Sequence, residues 1–319
     1  MAEWEFDVEQ AAAHGPESSA NMKICVIIAS KGRPHELSQW TDLLNLQTVG
    51  PFQVIYSVTQ EVDLPERTAL FQPSTVVMGP AGLPHQRNRG LEVVEQGADV
   101  IAFFDDDYVP SRFCLEDISK FMEKNVDVSG ANGCLLADGI KTPGVTFEES
   151  IALLAQYEAS RSPLYEIEQD LVGLYGCNMV FRASAIQDIR FDEKLPLYAW
   201  QEDIDFAVRV NRNGRIVKTS CFVGVHQGTK SARVSGVDFG YAQIANPLYL
   251  IRKGTMPFMF GLKLALKNVL NNHIMMVNPE PWIDRRGRAA GNWIALRDIV
   301  LGKCAPGRIL DLRRNLRRS

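Results

Sequence analysis

The sequence lacks what would place it in several large classes of protein. Its six cysteines, Cys25, Cys114, Cys134, Cys177, Cys221 and Cys304, are scattered and form no Cys-x-x-Cys pair. That spacing argues against a zinc site and a disulfide scaffold, and fits a reducing compartment, the cytoplasm. No run of about 18 apolar residues occurs, so no membrane span is expected. Residues 1–21 are acidic, lack the apolar stretch of a secretory leader, and read as a disordered N-terminal extension. Net positive charge is lacking too. The formal charge is −4 over 319 residues, which argues against a general nucleic-acid binder. Neither an internal repeat nor a low-complexity linker is found. What is there, 46% hydrophobic and 23% charged residues, is ordinary for a globular protein with an ample core.

The chain is organised around residues 100–110, VIAFFDDDYVP. Five apolar residues read as a strand buried on both faces, ending in three acids where the sheet meets solvent. Upstream, residues 23–30 (KICVIIAS) read as a first buried strand, broken by Ser30-Lys31-Gly32-Arg33 before Pro34 opens a helix. Strands at 52–58 and 75–78 follow. A helix is expected from His85 to Gln96, closed by Gly97. Strands alternating with helices predict an α/β fold with a mixed, mostly parallel sheet flanked by helices. Downstream, a helix is expected at 112–124, strands at 126–136, 176–182 and 215–225, and helices at 147–157, 183–189 and 202–211. Residues 256–270 are apolar with helical period, and Lys263, Lys267 and Asn271 form one polar stripe. Residues 308–319 hold five arginines. This C-terminal helical extension reads as an interfacial membrane anchor or as a packing helix with a basic tail.

Four constellations carry chemistry. Asp105, Asp106 and Asp107 repel one another unless a cation sits among them, and their oxygens suit Mg2+ or Mn2+. In an extended segment Asp105 and Asp107 face the same way. Arg87-Asn88-Arg89-Gly90 places cations in the first turn of a helix, where they do not serve its dipole and suit a phosphorylated ligand instead. Glu202 and Asp203 stand at another helix start behind Trp200, where a carboxylate can act as a general base. His226, between Gly224 and Gly228, offers an imidazole that suits Mn2+ beside carboxylates.

In this order the motifs resemble the family 2 inverting glycosyltransferases of the GT-A fold, over about residues 23–230. Arg87, Asn88 and Gly90 match an R-N-x-G segment, Asp105 and Asp107 a D-x-D motif, Gly176 to Arg182 the following strand, and Glu202 and Asp203 an E-D pair. The resemblance implies a nucleotide-sugar-binding half (22–136), an acceptor-binding half (137–240) and a helical basic segment (241–319). It implies donor contacts by Ser30, Arg33, Arg87, Asn88, Asp105, Asp106 and Asp107, with Glu61 or Asp63 at the nucleobase. Mn2+ or Mg2+ would be held by Asp107 with His226. Asp203 would be the base, and Glu202 would orient it or the acceptor. A UDP-sugar donor, a glycan or lipid-linked acceptor, and a place on the inner face of the cell membrane in polysaccharide or glycolipid synthesis would follow. The Q-R-R-R-W motif of processive synthases is missing, which favours single additions. Two rivals remain. A sugar-phosphate nucleotidyltransferase needs a Gly-rich loop after the first strand, where Ser30-Lys31-Gly32-Arg33 has one glycine. An inactive glycan-binding protein of the same fold has no need of the acids at both motifs.

Overall fold

The computed structural model describes residues 21–231 and 235–316. The expected N-terminal extension, apart from Asn21, and the last three residues of the basic tail lie outside the described residues. The chain opens with β1 (Ile24–Ala29), α1 (Pro34–Asn45), β2 (Gln53–Val58), β3 (Thr75–Met78), α2 (Leu83–Glu92), β4 (Val100–Asp105) and β5 (Tyr108–Pro110). It continues with α3 (Cys114–Lys124), β6 (Val128–Asp138), α4 (Phe147–Ala159), β7 (Gln169–Asp170), β8 (Asn178–Arg182), α5 (Ala183–Ile186), α6 (Glu202–Val210) and β9 (Arg215–His226). Four helices close it: α7 (Gly236–Lys253), α8 (Phe258–Met275), α9 (Arg285–Val300) and α10 (Arg308–Leu316).

One sheet runs in the order β3-β2-β1-β4-β8-β6-β9-β5, with β7 paired to β9. The first four strands are parallel; β8 runs against both β4 and β6, and β6 is parallel to β9. This is the mixed, mostly parallel α/β sheet that the alternating pattern predicts. Alternate residues of the central strands feed two cores. Val26, Ile28, Ala102 and Phe104 pack against α1 and α3 residues such as Leu37, Trp40 and Phe121. Cys25, Ile27, Ile101 and Phe103 pack against Phe181, Phe191 and Phe206 of the other face. Burial on both faces explains why these strands read as unbroken apolar runs.

Local signals explain several boundaries. Pro34 opens α1. Thr146 and Glu149 form a reciprocal capping box at the start of α4, which contributes about 1 kcal/mol. α2 stops at Glu92 and not at Gln96. The Gln53 side chain of β2 donates to the Val93 carbonyl and accepts from the Glu95 N–H, both at 2.9 Å, drawing those residues toward the sheet. Tyr108–Pro110, to which the sequence pattern assigns no element, forms a strand antiparallel to the end of β9. β9 itself is one element in which the pairing with β6 slips between Asn132 and Cys134; a Cβ on Gly133 would lie 2.2 Å from the Phe222 carbonyl oxygen.

The C-terminal helices form a module against the sheet domain. α7 and α9 cross closely enough that a Cβ on Gly240 would meet the Arg288 carbonyl at 2.0 Å, and one on Gly291 the Val237 carbonyl at 2.1 Å. Asn292 bonds the Gly240 carbonyl and Asn272, which also bonds Gln243 and Arg285, so α7, α8 and α9 share a buried polar network. Arg313 of α10 reaches Asp238 of α7 at 2.6 Å. No helix among the described residues is long and apolar enough to cross a membrane.

Candidate active site

β4 delivers Asp105 at its C-terminal end, opposite Ala29 of β1. The chain then turns, and β5 pairs Tyr108 with His226 at the end of β9. The Gln227 N–H donates to the Asp107 carbonyl at 2.9 Å, and the Thr229 N–H to Asp107 Oδ2 at 2.7 Å. His226 Nε2 lies 3.4 Å from Asp107 Oδ1. Its Nδ1 lies 2.8 Å from Asp138 Oδ1, at the end of β6, and 3.2 Å from the Tyr175 hydroxyl. Three strand ends therefore converge on one imidazole.

Asp105, Asp107 and His226 each offer one ligand atom, all within 4.8 Å of one another. Two carboxylates and an imidazole are a donor set that suits Mg2+ or Mn2+. The commitment of Nδ1 to a carboxylate leaves Nε2 facing the acids, as in metal-binding histidines. Burial would raise Asp107, but His226, Arg33 and the Thr229 N–H outweigh it and hold the carboxyl at about 2. Burial would lower His226, but its hydrogen bonds to Asp107 and Asp138 hold it up at about 10. Nε2 therefore faces the acids, where it could hold a proton or a cation.

Asp106 points elsewhere. It accepts from Ser30 Oγ and from Arg33 Nη1, both at 2.7 Å, while its carbonyl accepts from Trp40 Nε1 at 3.0 Å. Burial pushes it up to about 7, against the pull of Arg33 and with the help of Asp107. Arg33 continues to the Thr229 and Ser231 carbonyls and lies 3.6 Å from Asp107, so it ties the loop after β9 to the acidic turn. Ser30 and Arg33 are therefore brought to the cluster.

Arg87 joins this cluster to the second pair of acids. α2 begins at Leu83, so Arg87 sits a full turn inside the helix rather than at its open end. Its buried guanidinium donates to Asp105 Oδ1 and to the Gly176 carbonyl, each at 2.9 Å, and to Glu202. The Gly176 N–H donates in turn to Asp203 Oδ2 at 2.9 Å, and the Ile204 N–H to Asp203 Oδ1. Asp203 is half-buried; Glu202 is fully buried, and its Oε2 has no hydrogen-bond partner among the described residues. Burial raises Glu202; Arg87 opposes this and Asp203 and Asp105 add to it, leaving it at about 8. Burial also raises Asp203, against its two N–H bonds and Arg87. A half-buried, raised carboxylate steered by two amides is suited to accept a proton.

The segment before these acids is strained. Leu197, Ala199 and Gln201 all take positive φ, at 62°, 52° and 78°. Each costs about 1–3 kcal/mol in a non-glycine residue, and such strain gathers at functional sites. Within this segment Tyr198 is partly exposed and lies against Phe239 of α7, as does Trp200, whose carbonyl accepts from Asn246.

Other expected residues lie differently. Asn88 is turned away from the acids; its amide grips the Phe191 backbone and Glu193. Asp63 accepts from the Gly32, Thr59 and Gln60 N–H groups and the Thr59 hydroxyl, which hold it below the usual carboxylate range although burial would raise it. Its carboxylate shapes the loop after β2, while Glu61 is exposed on the same loop. On the helix that starts with Glu202 and Asp203, Arg209 pairs with Asp205. Asp138 and Tyr175 were missed in the sequence. Their only signal is position, at or near strand ends whose pairing partners lie far away along the chain.

No family model matches the chain, and no curated protein does. Among solved structures, Staphylococcus aureus TarS is similar. TarS 1–349 in complex with UDP is 18% identical, with 72% of this chain and 66% of that chain covered and a TM-score of 0.49. TarS 1–349 in complex with UDP-GlcNAc is 18% identical, with 72% and 67% covered and a TM-score of 0.47. In a further TarS structure the match spans 40% of that chain, at 17% identity and a TM-score of 0.47.

Proposed function

We propose that this chain is an inverting glycosyltransferase that moves a sugar from a nucleoside-diphosphate sugar, a UDP-sugar by the resemblance of its motifs, to a hydroxyl of a glycan or lipid-linked glycan. One observation carries the reading: the Arg87 guanidinium bridges Asp105 and Glu202, the latter 115 residues along the chain from Arg87, so the D-x-D and E-D acids share one cleft. Asp107 and His226, with Asp105 beside them, would hold a divalent cation. When bound, such an ion supplies positive charge for the departing diphosphate. Asp203, held by the Gly176 and Ile204 amides, takes the acceptor proton, and the hydroxyl attacks the anomeric carbon from the face opposite the leaving group. Glu202 and Arg87 fix the position of that base. The proposed setting is polysaccharide or glycolipid synthesis at the cytoplasmic face of a membrane.

The test is UDP release from a panel of UDP-sugars with and without Mn2+, alongside UDP binding by calorimetry. The reading expects Mn2+-dependent release, lowered at least a hundredfold in Asp203→Asn with UDP binding retained. Full release by Asp203→Asn would overturn the base assignment. Pyrophosphate release from a nucleoside triphosphate and a sugar phosphate would favour a nucleotidyltransferase, and no binding of any nucleoside diphosphate an inactive fold.

A further inference from the structure

The C-terminal module presents an apolar face that the fold leaves uncovered. On α8, Phe258, Leu262, Leu266, Leu270 and Ile274 recur every four residues and are all exposed, Ile274 at 68%. That spacing lays them along one side of the helix. The inward side is held by Gly261 and Asn272. The outer stripe therefore is not the packing surface of α8.

α9 extends the face. His273 of α8 meets the Trp293 ring edge-on at 5.7 Å, and Trp293 is 63% exposed. Leu296 and Val300 follow it at helical spacing, also exposed. An apolar surface drawn from two neighbouring helices marks an interaction site rather than scattered surface leucines.

Charge selects the partner. Lys263 and Lys267 are exposed along one edge of the α8 stripe, and no acid occurs between Met256 and Pro279. From Met256 to Ser319 there are twelve lysines and arginines against four acids, in a chain whose net charge is −4. The rest of the chain is correspondingly acidic. An apolar stripe rimmed by lysine, with an exposed tryptophan beside it, is the pattern of a helix lying in a lipid interface. The positive excess suits anionic headgroups, whereas nucleic acid would use the charges and leave the leucines without purpose.

We infer that the outer face of α8 and α9 docks on the surface of an anionic lipid bilayer, with Phe258 to Ile274 and Trp293 in the acyl–headgroup boundary and Lys263 and Lys267 on the headgroups. The inference stands on this face alone and not on the chemistry of the acidic cleft.

The test is co-sedimentation of the full chain with vesicles of phosphatidylcholine, with and without about one phosphatidylglycerol per three lipids, enough for a strong surface potential. The Leu266→Glu/Leu270→Glu double variant and a Lys263→Glu/Lys267→Glu double variant run in parallel. Both alter exposed residues, and unchanged melting curves check their folding. UDP binding of the same samples reads the cleft separately. Docking predicts binding to the anionic vesicles, weakened at least tenfold by either double variant and by high salt. No binding to anionic vesicles would overturn it. So would undiminished binding by the Leu266→Glu/Leu270→Glu variant, since basic residues alone would then suffice. Self-association without lipid that this variant abolishes would overturn it too, assigning the face to a second copy of the chain.

Discussion

His226 Nδ1 stands 2.8 Å from Asp138 Oδ1, and the opposite ring nitrogen faces Asp107 at 3.4 Å. Asp138 thereby chooses which nitrogen is offered to the acids. Asp138→Ala is expected to weaken Mn2+ binding by about 10–100-fold, the range for losing the carboxylate behind a metal-binding histidine. Calorimetric titration with Mn2+ checks this. Asp138 is partly exposed, so its loss leaves no buried hole, and the fall in melting temperature should reflect its lost bonds to His226 and the Ile140 N–H.

Arg87 is a buried cation among Asp105, Glu202 and Asp203. Removing one partner of such a group leaves uncompensated charge, at a cost of about 3–5 kcal/mol. Arg87→Met is expected to lose stability of that order in urea unfolding. Adding Glu202→Leu should restore a substantial part. Strict additivity of the two changes would show that the pair is not coupled.

Glu202 gives a pH signature. Its folded value of about 8 lies above the ordinary 4.5, so the folded state holds this proton more tightly than the unfolded chain. The contribution is therefore full below about pH 4.5 and is lost as pH rises through 8. Glu202→Gln mimics the protonated side chain and cannot titrate. Melting temperatures from pH 5 to 9 should fall more steeply for the wild type than for this variant. Parallel profiles would refute the elevated value.

Gly176 is the hinge between the two sets of acids. A Cβ there would lie 3.2 Å from Asp203 Oδ2 and 3.4 Å from Arg87 Nη2. Those contacts are tight but not prohibitive, so Gly176→Ala should fold and displace both groups by a few tenths of an ångström. UDP release is expected to drop about tenfold, in keeping with the sensitivity of proton transfer to placement, with a change in melting temperature of only a few degrees.

Much of the sheet was legible because its strands are buried on both faces. Residues 24–29 and 100–105 announce themselves as apolar runs, and the acids at 105 and 107 share a side because alternate residues must. The α8 helix was read from its period, displaced by a few residues. What escaped was non-local. Nothing near Tyr108 signals that it will pair with His226, and nothing near Asp138 that it will stand behind the same ring. Asn88 sits in a motif beside Arg87, but one helical step of about 100° turns it to Phe191 instead of the acids. Asp63, expected with Glu61 as one of two candidates at the nucleobase, accepts from backbone amides of its own turn and of Gly32, a local role its sequence position does not announce. The E-D acids were visible, but the left-handed residues before them were not, because leucine, alanine and glutamine carry no turn signal.

The reversed strand β8 has a consequence for how this molecule can diversify. Because it runs against its neighbours, the peptide leading into it surfaces at the rim where β1, β4 and β6 finish. Segments entering and leaving the sheet therefore meet on one side of it. Exposed positions there, such as Leu164 and Val172, can change in composition without shifting the strands that present Asp105 and Asp107. A single inverted ribbon in this way separates the part of the cleft free to vary from the part whose register is fixed.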